Sequence, residues 1–148
     1  ETINTPSMLC VEDYLDALDW AKSIGGLAGT VARSDANAQA IAHWVKLTPW
    51  VDHLAVNADE RSNTSVCLKV IDAAVTRLKP DEQAAFAKSL AALLEKEGIA
   101  YDIAYYRDAP PGLRIWCGAT VETSDVEALT AWLDWAFAQT KAALPKAA

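Results

Sequence analysis

Only three of the 148 residues are cysteines, Cys10, Cys67 and Cys117, far apart and odd in number. Without a C-x-x-C pair they support neither a zinc ribbon nor a disulfide framework. Each sits among apolar residues, which suits a small buried hydrophobe and a reducing, cytoplasmic setting. Histidine is scarcer, with His43 and His53 alone, and neither has a partner at a metal-ligand spacing. Basic residues are outnumbered, 13 against 20 acidic ones, for a net charge of −7. Such a surface repels phosphate backbones and anionic lipid, which argues against nucleic-acid and membrane partners. No apolar run approaches the ~20 residues of a membrane span, and the first residues lack a signal-peptide pattern. G-x-S-x-G, P-loop and G-x-G-x-x-G motifs are absent too. So is an initiator methionine ahead of Glu1-Thr2-Ile3, which suggests a processed product or a piece of something longer.

What is present is core material. Hydrophobic residues make up 52% of the chain, and six tryptophans run from Trp20 to Trp135. A chain of this length forms one domain that buries about two-thirds of its unfolded surface. Thr5-Pro6 reads as a helix start, with Val11, Tyr14, Leu15 and Leu18 repeating at helical spacing up to Gly25-Gly26. A second helix carries Leu27, Val31, Ala38, Ala42 and Val45, with a break expected near Ser34-Asp35 and an end at Pro49. Strands are predicted over Val51–Val56 and Thr64–Val70. Pro80 opens a helix with Phe86, Leu90, Leu93 and Leu94 on one stripe, closed by Gly98. Two more strands, Ile99–Tyr105 and Leu113–Ala119, are joined by the Arg107–Gly112 loop. Ser124 and Glu127 form a capping box for a last helix, whose stripe is Leu129, Trp132, Leu133, Ala136 and Phe137. The alanine-rich tail is expected to fray. Two strand pairs around one helix imply an α+β fold, an antiparallel or mixed sheet covered by helices. The opening helices have no strand of their own and must pack across the others, or against a domain or subunit outside the chain.

Arg114 stands alone in the apolar run Leu113–Ala119. An arginine keeps its charge at any useful pH, so in a sheet it must meet an anion or water. One reading is a structural ion pair or an edge-strand arginine facing solvent. The other is a clamp for a ligand carboxylate, which matches the guanidinium fork. The stiff turn Asp108-Ala109-Pro110-Pro111-Gly112 would hold such a site open, with Arg107 at its other mouth. Two arginines around one rigid loop suit a doubly anionic ligand. Asn4-Thr5 reads as a helix cap or as an anion contact at a positive helix end. Arg61-Ser62-Asn63-Thr64 reads as a polar turn leading into a strand. The acidic clusters Glu12-Asp13 and Glu95/Glu97 look like solvated helix faces.

Taken together, Asn4-Thr5-Pro6-Ser7-Met8, Arg61-Ser62-Asn63-Thr64-Ser65-Val66 and Gly112-Leu113-Arg114-Ile115-Trp116-Cys117-Gly118 resemble the C-terminal part of the phosphoserine aminotransferase family. These are class V, fold-type I enzymes that use pyridoxal phosphate, and the likeness to their longer bacterial branch spans essentially the whole chain. The resemblance implies that residues 1–48 are linking helices carrying the Asn-Thr-Pro element and that residues 49–148 form the small C-terminal α+β domain. It implies that Arg114 binds the substrate α-carboxylate and that Asn4 and Thr5 reach the cofactor phosphate of the partner subunit in a homodimer. Much of the family holds the substrate phosphate with a His-Arg pair. Here that place reads Tyr106-Arg107, with one extra residue before Arg114, and Arg107 takes the phosphate. The family's Schiff-base lysine, the acid under its pyridine nitrogen and its ring-stacking aromatic all precede the Asn-Thr element. They fall outside this chain, which alone should be inactive. The implied reaction moves an amino group from glutamate to 3-phosphohydroxypyruvate. The alternatives are a class V enzyme of the alanine–glyoxylate type and a non-catalytic anion-binding module. A cysteine desulfurase fits less well, because Cys117 lies in strand-like sequence.

Overall fold

The computed structural model describes residues 3–145; Glu1-Thr2 and the end of the alanine-rich tail lie outside them. Helix α1 (Met8–Ser23) begins later than Thr5-Pro6 suggested, because Ser7 is the N-cap and its Oγ accepts from the Cys10 N–H at 3.5 Å. A serine directly before the first helical residue satisfies an orphan donor there, and a proline one place earlier does not. Gly25, at φ 100°, takes the left-handed turn that a side chain resists, and α2 (Gly26–Leu47) follows at once. The expected break at Ser34-Asp35 is absent and Ser34 is buried inside one continuous helix. No glycine or proline interrupts α2 there, and tertiary contacts hold its middle.

The sheet is antiparallel, in the order β1 (Val51–His53), β2 (Ser65–Val70), β3 (Leu113–Trp116). It has three strands where four were expected. Ile99–Tyr105 contributes a single bridge, Ala104 to Leu113. Asp102 has φ 54°, the one positive value outside glycine among the described residues, and it breaks the extended run. The first strand also stops at His53, three residues before the expected end at Val56, and a 3-10 turn at Ala58–Glu60 follows. Short α3 (Ala73–Thr76) and α4 (Pro80–Lys96) come next, the latter closed at its start by Glu82 reaching back to the Lys79 N–H at 2.9 Å.

Helix α5 (Thr123–Ala142) starts ahead of the Ser124/Glu127 box, with Glu122 as N-cap and no side-chain cap bond. Thr123 explains the shift, because its hydroxyl donates to Asn37 Oδ1 at 2.7 Å and draws the first turn onto α2.

Val66 and Leu68 of β2 sit opposite Ile115 and Leu113 of β3, so all four share the buried face of the sheet. One core joins that face to Ile41 and Trp44 of α2, Phe86, Leu90 and Leu94 of α4, and Leu133 and Phe137 of α5. Trp50 stacks on Phe137 with centroids 4.2 Å apart. Both Trp50 and Trp44 donate their indole N–H to Asp134, at 2.7 and 3.1 Å. By contrast α1 packs on α2 and has no buried residue; Leu9, Tyr14 and Leu15 are all exposed.

Asn37 is fully buried and fastens α2 to the turn after β3. Its amide donates to the carbonyls of Cys117 (3.3 Å), Gly118 (3.3 Å) and Val121 (3.0 Å). Arg33, one turn earlier, donates to Ala119 O at 2.7 Å and pairs with Glu122. Replacing the amide leaves buried acceptors unpaired. Asn37→Leu is therefore expected to cost about 1–3 kcal/mol in chemical denaturation, and an unchanged unfolding free energy would refute this account.

His53 is buried on the inner side of β1. Burial, and then the charge of Arg61, lower its pKa from 6.5, with Asp52 opposing in part. The fold disfavours the charged imidazole relative to the unfolded chain, whose histidine takes up a proton near pH 6.5. The unfolded state thus binds more protons just below that value, and stability falls as pH drops through the window. Asp72 does not contribute there. Burial raises its pKa, but hydrogen bonds from Lys141 and from the Ala74 and Val75 N–H groups outweigh this and hold it below 3.8, so its share is lost only under that value. The denaturation midpoint is expected to fall between about pH 7.5 and pH 5, and to fall less in His53→Gln. Equal losses in both proteins would count against it.

Candidate functional site

Arg114 lies on the sheet face opposite Val66 and Leu68, level with Cys67 across the strand pair. The loop before it closes tightly on β2: a Cβ on Gly112 would sit 2.0 Å from the Leu68 carbonyl oxygen, so only glycine fits. The Arg114 N–H donates to Ile103 O at 2.8 Å, which fixes the strand against the broken run before it.

The Arg114 side chain is 13% exposed. Its Nη2 donates twice to one residue, to Asp102 Oδ2 at 3.0 Å and to Asp102 O at 3.1 Å. The Tyr106 ring lies against the guanidinium, 4.4 Å from Cζ to the centroid. Nε is buried and has no partner, the one such side-chain atom among the described residues. Beside the group opens a cavity of about 360 Å³, lined by Tyr101, Asp102, Arg114, Trp116 and Leu129 among others. Arg114 is a cation at the wall of an open cavity and is chemically suited to an oxyanion, with its Nε closed to solvent.

The other residues singled out in the sequence are not gathered here. Arg107 is almost fully exposed, and its one ion-pair partner among the described residues is Asp108, at 3.8 Å. Asn4 and Thr5 are exposed ahead of α1, and neither side chain makes a hydrogen bond among the described residues. Arg61 ties its own loop, donating to Ala55 O (3.1 Å) and Val56 O (3.3 Å). Asn63 Nδ2 reaches Asp35 on α2 at 2.7 Å, and Ser62 Oγ accepts from Thr64 and Ser65 N–H. That cluster is a turn, as expected.

Of the cysteines only Cys117 is a buried hydrophobe, and burial pushes its thiol up to about 11, far from a nucleophile's range. Cys67 is half-buried, and Cys10 is exposed because α1 buries nothing. Sequence reasoning missed both close partners of Arg114. The resemblance puts Tyr106 where much of the family has a histidine, and the strand pattern takes in Asp102. A larger cavity, about 1010 Å³ between α3 and α5, lies elsewhere. It is mostly apolar, and its Lys141 is already paired with Asp72 at 2.7 Å, so the smaller cavity at Arg114 is the better ligand site.

No family model matches the chain. Phosphoserine aminotransferase of Methanosarcina mazei is 47% identical over 136 residues, covering 92% of this chain and 34% of that protein. The Methanosarcina barkeri protein of the same name is 48% identical with the same coverage. Among solved structures, phosphoserine aminotransferase from Bacillus circulans subsp. alkalophilus shares the fold at a TM-score of 0.74 and 20% identity, over 92% of this chain and 34% of that one. The pyridoxal-phosphate-bound enzyme of Trichomonas vaginalis follows at 0.71 and 18%, over 90% and 34%. The chain spans about a third of the length of the curated relatives it matches. By sequence and by fold it is a relative of the phosphoserine aminotransferases, similar to their C-terminal part.

Proposed function

We propose that this chain works as the C-terminal part of a cytoplasmic, homodimeric aminotransferase that moves the amino group of L-glutamate to 3-phosphohydroxypyruvate, giving O-phospho-L-serine. The observation that carries the reading is Arg114, a nearly buried cation with an unpaired Nε beside an open cavity. The likeness to enzymes of that name over 92% of the chain adds to it. In this reading residues 1–48 link to the remainder of the enzyme and residues 49–148 are its small domain. The exposed apolar residues of α1, such as Leu9 and Leu15, fit a surface that larger parts of the enzyme cover.

Arg114 receives the α-carboxylate shared by glutamate and the keto acid and fixes which way their reacting carbon points. Two-point binding by a planar guanidinium orients a carboxylate as well as holding it. Arg107, exposed on its loop, takes the phosphate that distinguishes the keto acid from glutamate. Asn4 and Thr5 contact the phosphate of pyridoxal phosphate bound in the partner subunit; their unengaged side chains, ahead of a 16-residue helix with a positive end, suit that group. When bound, the cofactor supplies the electron sink that amine transfer requires. Its anchoring lysine lies outside this chain, so these residues bind and orient without performing the chemistry.

In the full-length enzyme, Arg114→Ala is expected to lower kcat/KM for transamination by roughly tenfold or more, the loss for one charge-assisted pair. Arg107→Ala is expected to weaken phosphohydroxypyruvate selectively and to spare plain hydroxypyruvate. Steady-state assays with both acceptors test the two together. Unchanged turnover in Arg114→Ala would defeat the reading. Equal use of both acceptors by the unmodified enzyme would point to a non-phosphorylated substrate, as in the alanine–glyoxylate type.

A further inference from the structure

Asp102 holds Arg114 in an unusual way. Its left-handed backbone, at φ 54°, turns both its carbonyl and its carboxylate onto the same nitrogen, Arg114 Nη2. The carboxylate makes a one-point contact where an arginine can offer two, and Nε stays buried and unpartnered. The burial of the pair is lopsided as well: the Asp102 side chain is 90% exposed and that of Arg114 13%. A pair built into a core buries both ions and uses the fork, whereas this one leaves its anion in water. Here the anion sits on the solvent side, at the cavity wall it shares with Arg114. It is free to rotate away while the backbone carbonyl and the Tyr106 ring keep the guanidinium in place.

We infer that the Asp102 carboxylate is an internal competitor for Arg114, occupying the guanidinium in the ligand-free protein and yielding it to the carboxylate of the arriving substrate. This rests on the reading that Arg114 receives a substrate carboxylate. Asp102 touches no reacting atom. It acts by setting how much of the site is available, since affinity is reduced by the fraction of protein in which the cation is already paired. Its charge also repels an anionic ligand from the same cavity. The competitor therefore tunes KM toward weaker binding and leaves the chemical step alone. A merely structural aspartate would do the opposite, because its loss would loosen Arg114 and raise KM.

The test uses the full-length enzyme with Asp102→Asn and Asp102→Gly. Asparagine keeps the shape and tolerates the left-handed backbone; glycine removes the side chain and keeps the carbonyl contact without strain. Both are expected to lower KM for the phosphorylated keto acid by on the order of threefold to tenfold, with kcat unchanged within about twofold. An unchanged or raised KM in either variant overturns the inference. Arg114→Ala is assayed beside them. If it lowers kcat/KM while the Asp102 variants fail to lower KM, the competitor alone is wrong. If Arg114→Ala leaves kcat/KM unaltered, the substrate reading falls and the competitor falls with it.

Discussion

A single buried amide holds the architecture together. Asn37 has no exposed surface, and its side chain satisfies three main-chain carbonyls and one hydroxyl in the connection from β3 to α5. Of those carbonyls only that of Gly118 has a main-chain donor as well among the described residues, the Val121 N–H at 3.1 Å, and burying the others unpaired would be costly. The same contacts set where α5 begins and keep α2 unbroken. They also place the helix that brings Phe137 to Trp50 and Asp134 to both indole N–H groups. Arg33 repeats the tie one turn away, with more solvent access. The outer part of the domain thus hangs on polar contacts from one helix face, and the apolar core fills in around them.

The arginine site shows a different economy. Its cation is nearly buried in a chain of net charge −7, so carboxylates are plentiful, yet a single exposed aspartate meets it. Two main-chain devices bring this about. Gly112 lets the loop close onto β2, and the left-handed turn at Asp102 points a carbonyl and a carboxylate at one nitrogen. Backbone conformation, more than side-chain packing, fixes the electrostatics of the cavity.

Much of this was legible in the sequence. The periodicity of Phe86, Leu90 and Leu94, and of Leu133 and Phe137, gave the core faces of α4 and α5. Alternation marked β2, with Val66 and Leu68 inward. Arg114 declared itself as the one charge in an apolar run. The failures share a cause, because each depended on a contact far along the chain. Nothing near Ser34 says that Asn37 will be gripped by residues 80 positions later. The capping box at Ser124 was locally sound but lost to Thr123, which had a partner on α2. Asp102 looked like a strand residue because its neighbours Ile103 and Ala104 are apolar, and its turn is visible only with Arg114 in place. Alternation likewise could not foresee how early β1 would end.

The corner at Gly25 has a mechanical consequence. Helix α1 is about 24 Å long, at 1.5 Å per residue, and it packs on α2 with none of its side chains built into the core. It is a lever with its fulcrum at the glycine pair. A rotation of about 10° there would carry the residues ahead of Met8 through roughly 4 Å, while the sheet and Arg114 stayed still. The position of α1 relative to the sheet therefore rests on its contacts with α2 and on whatever surface covers its exposed face.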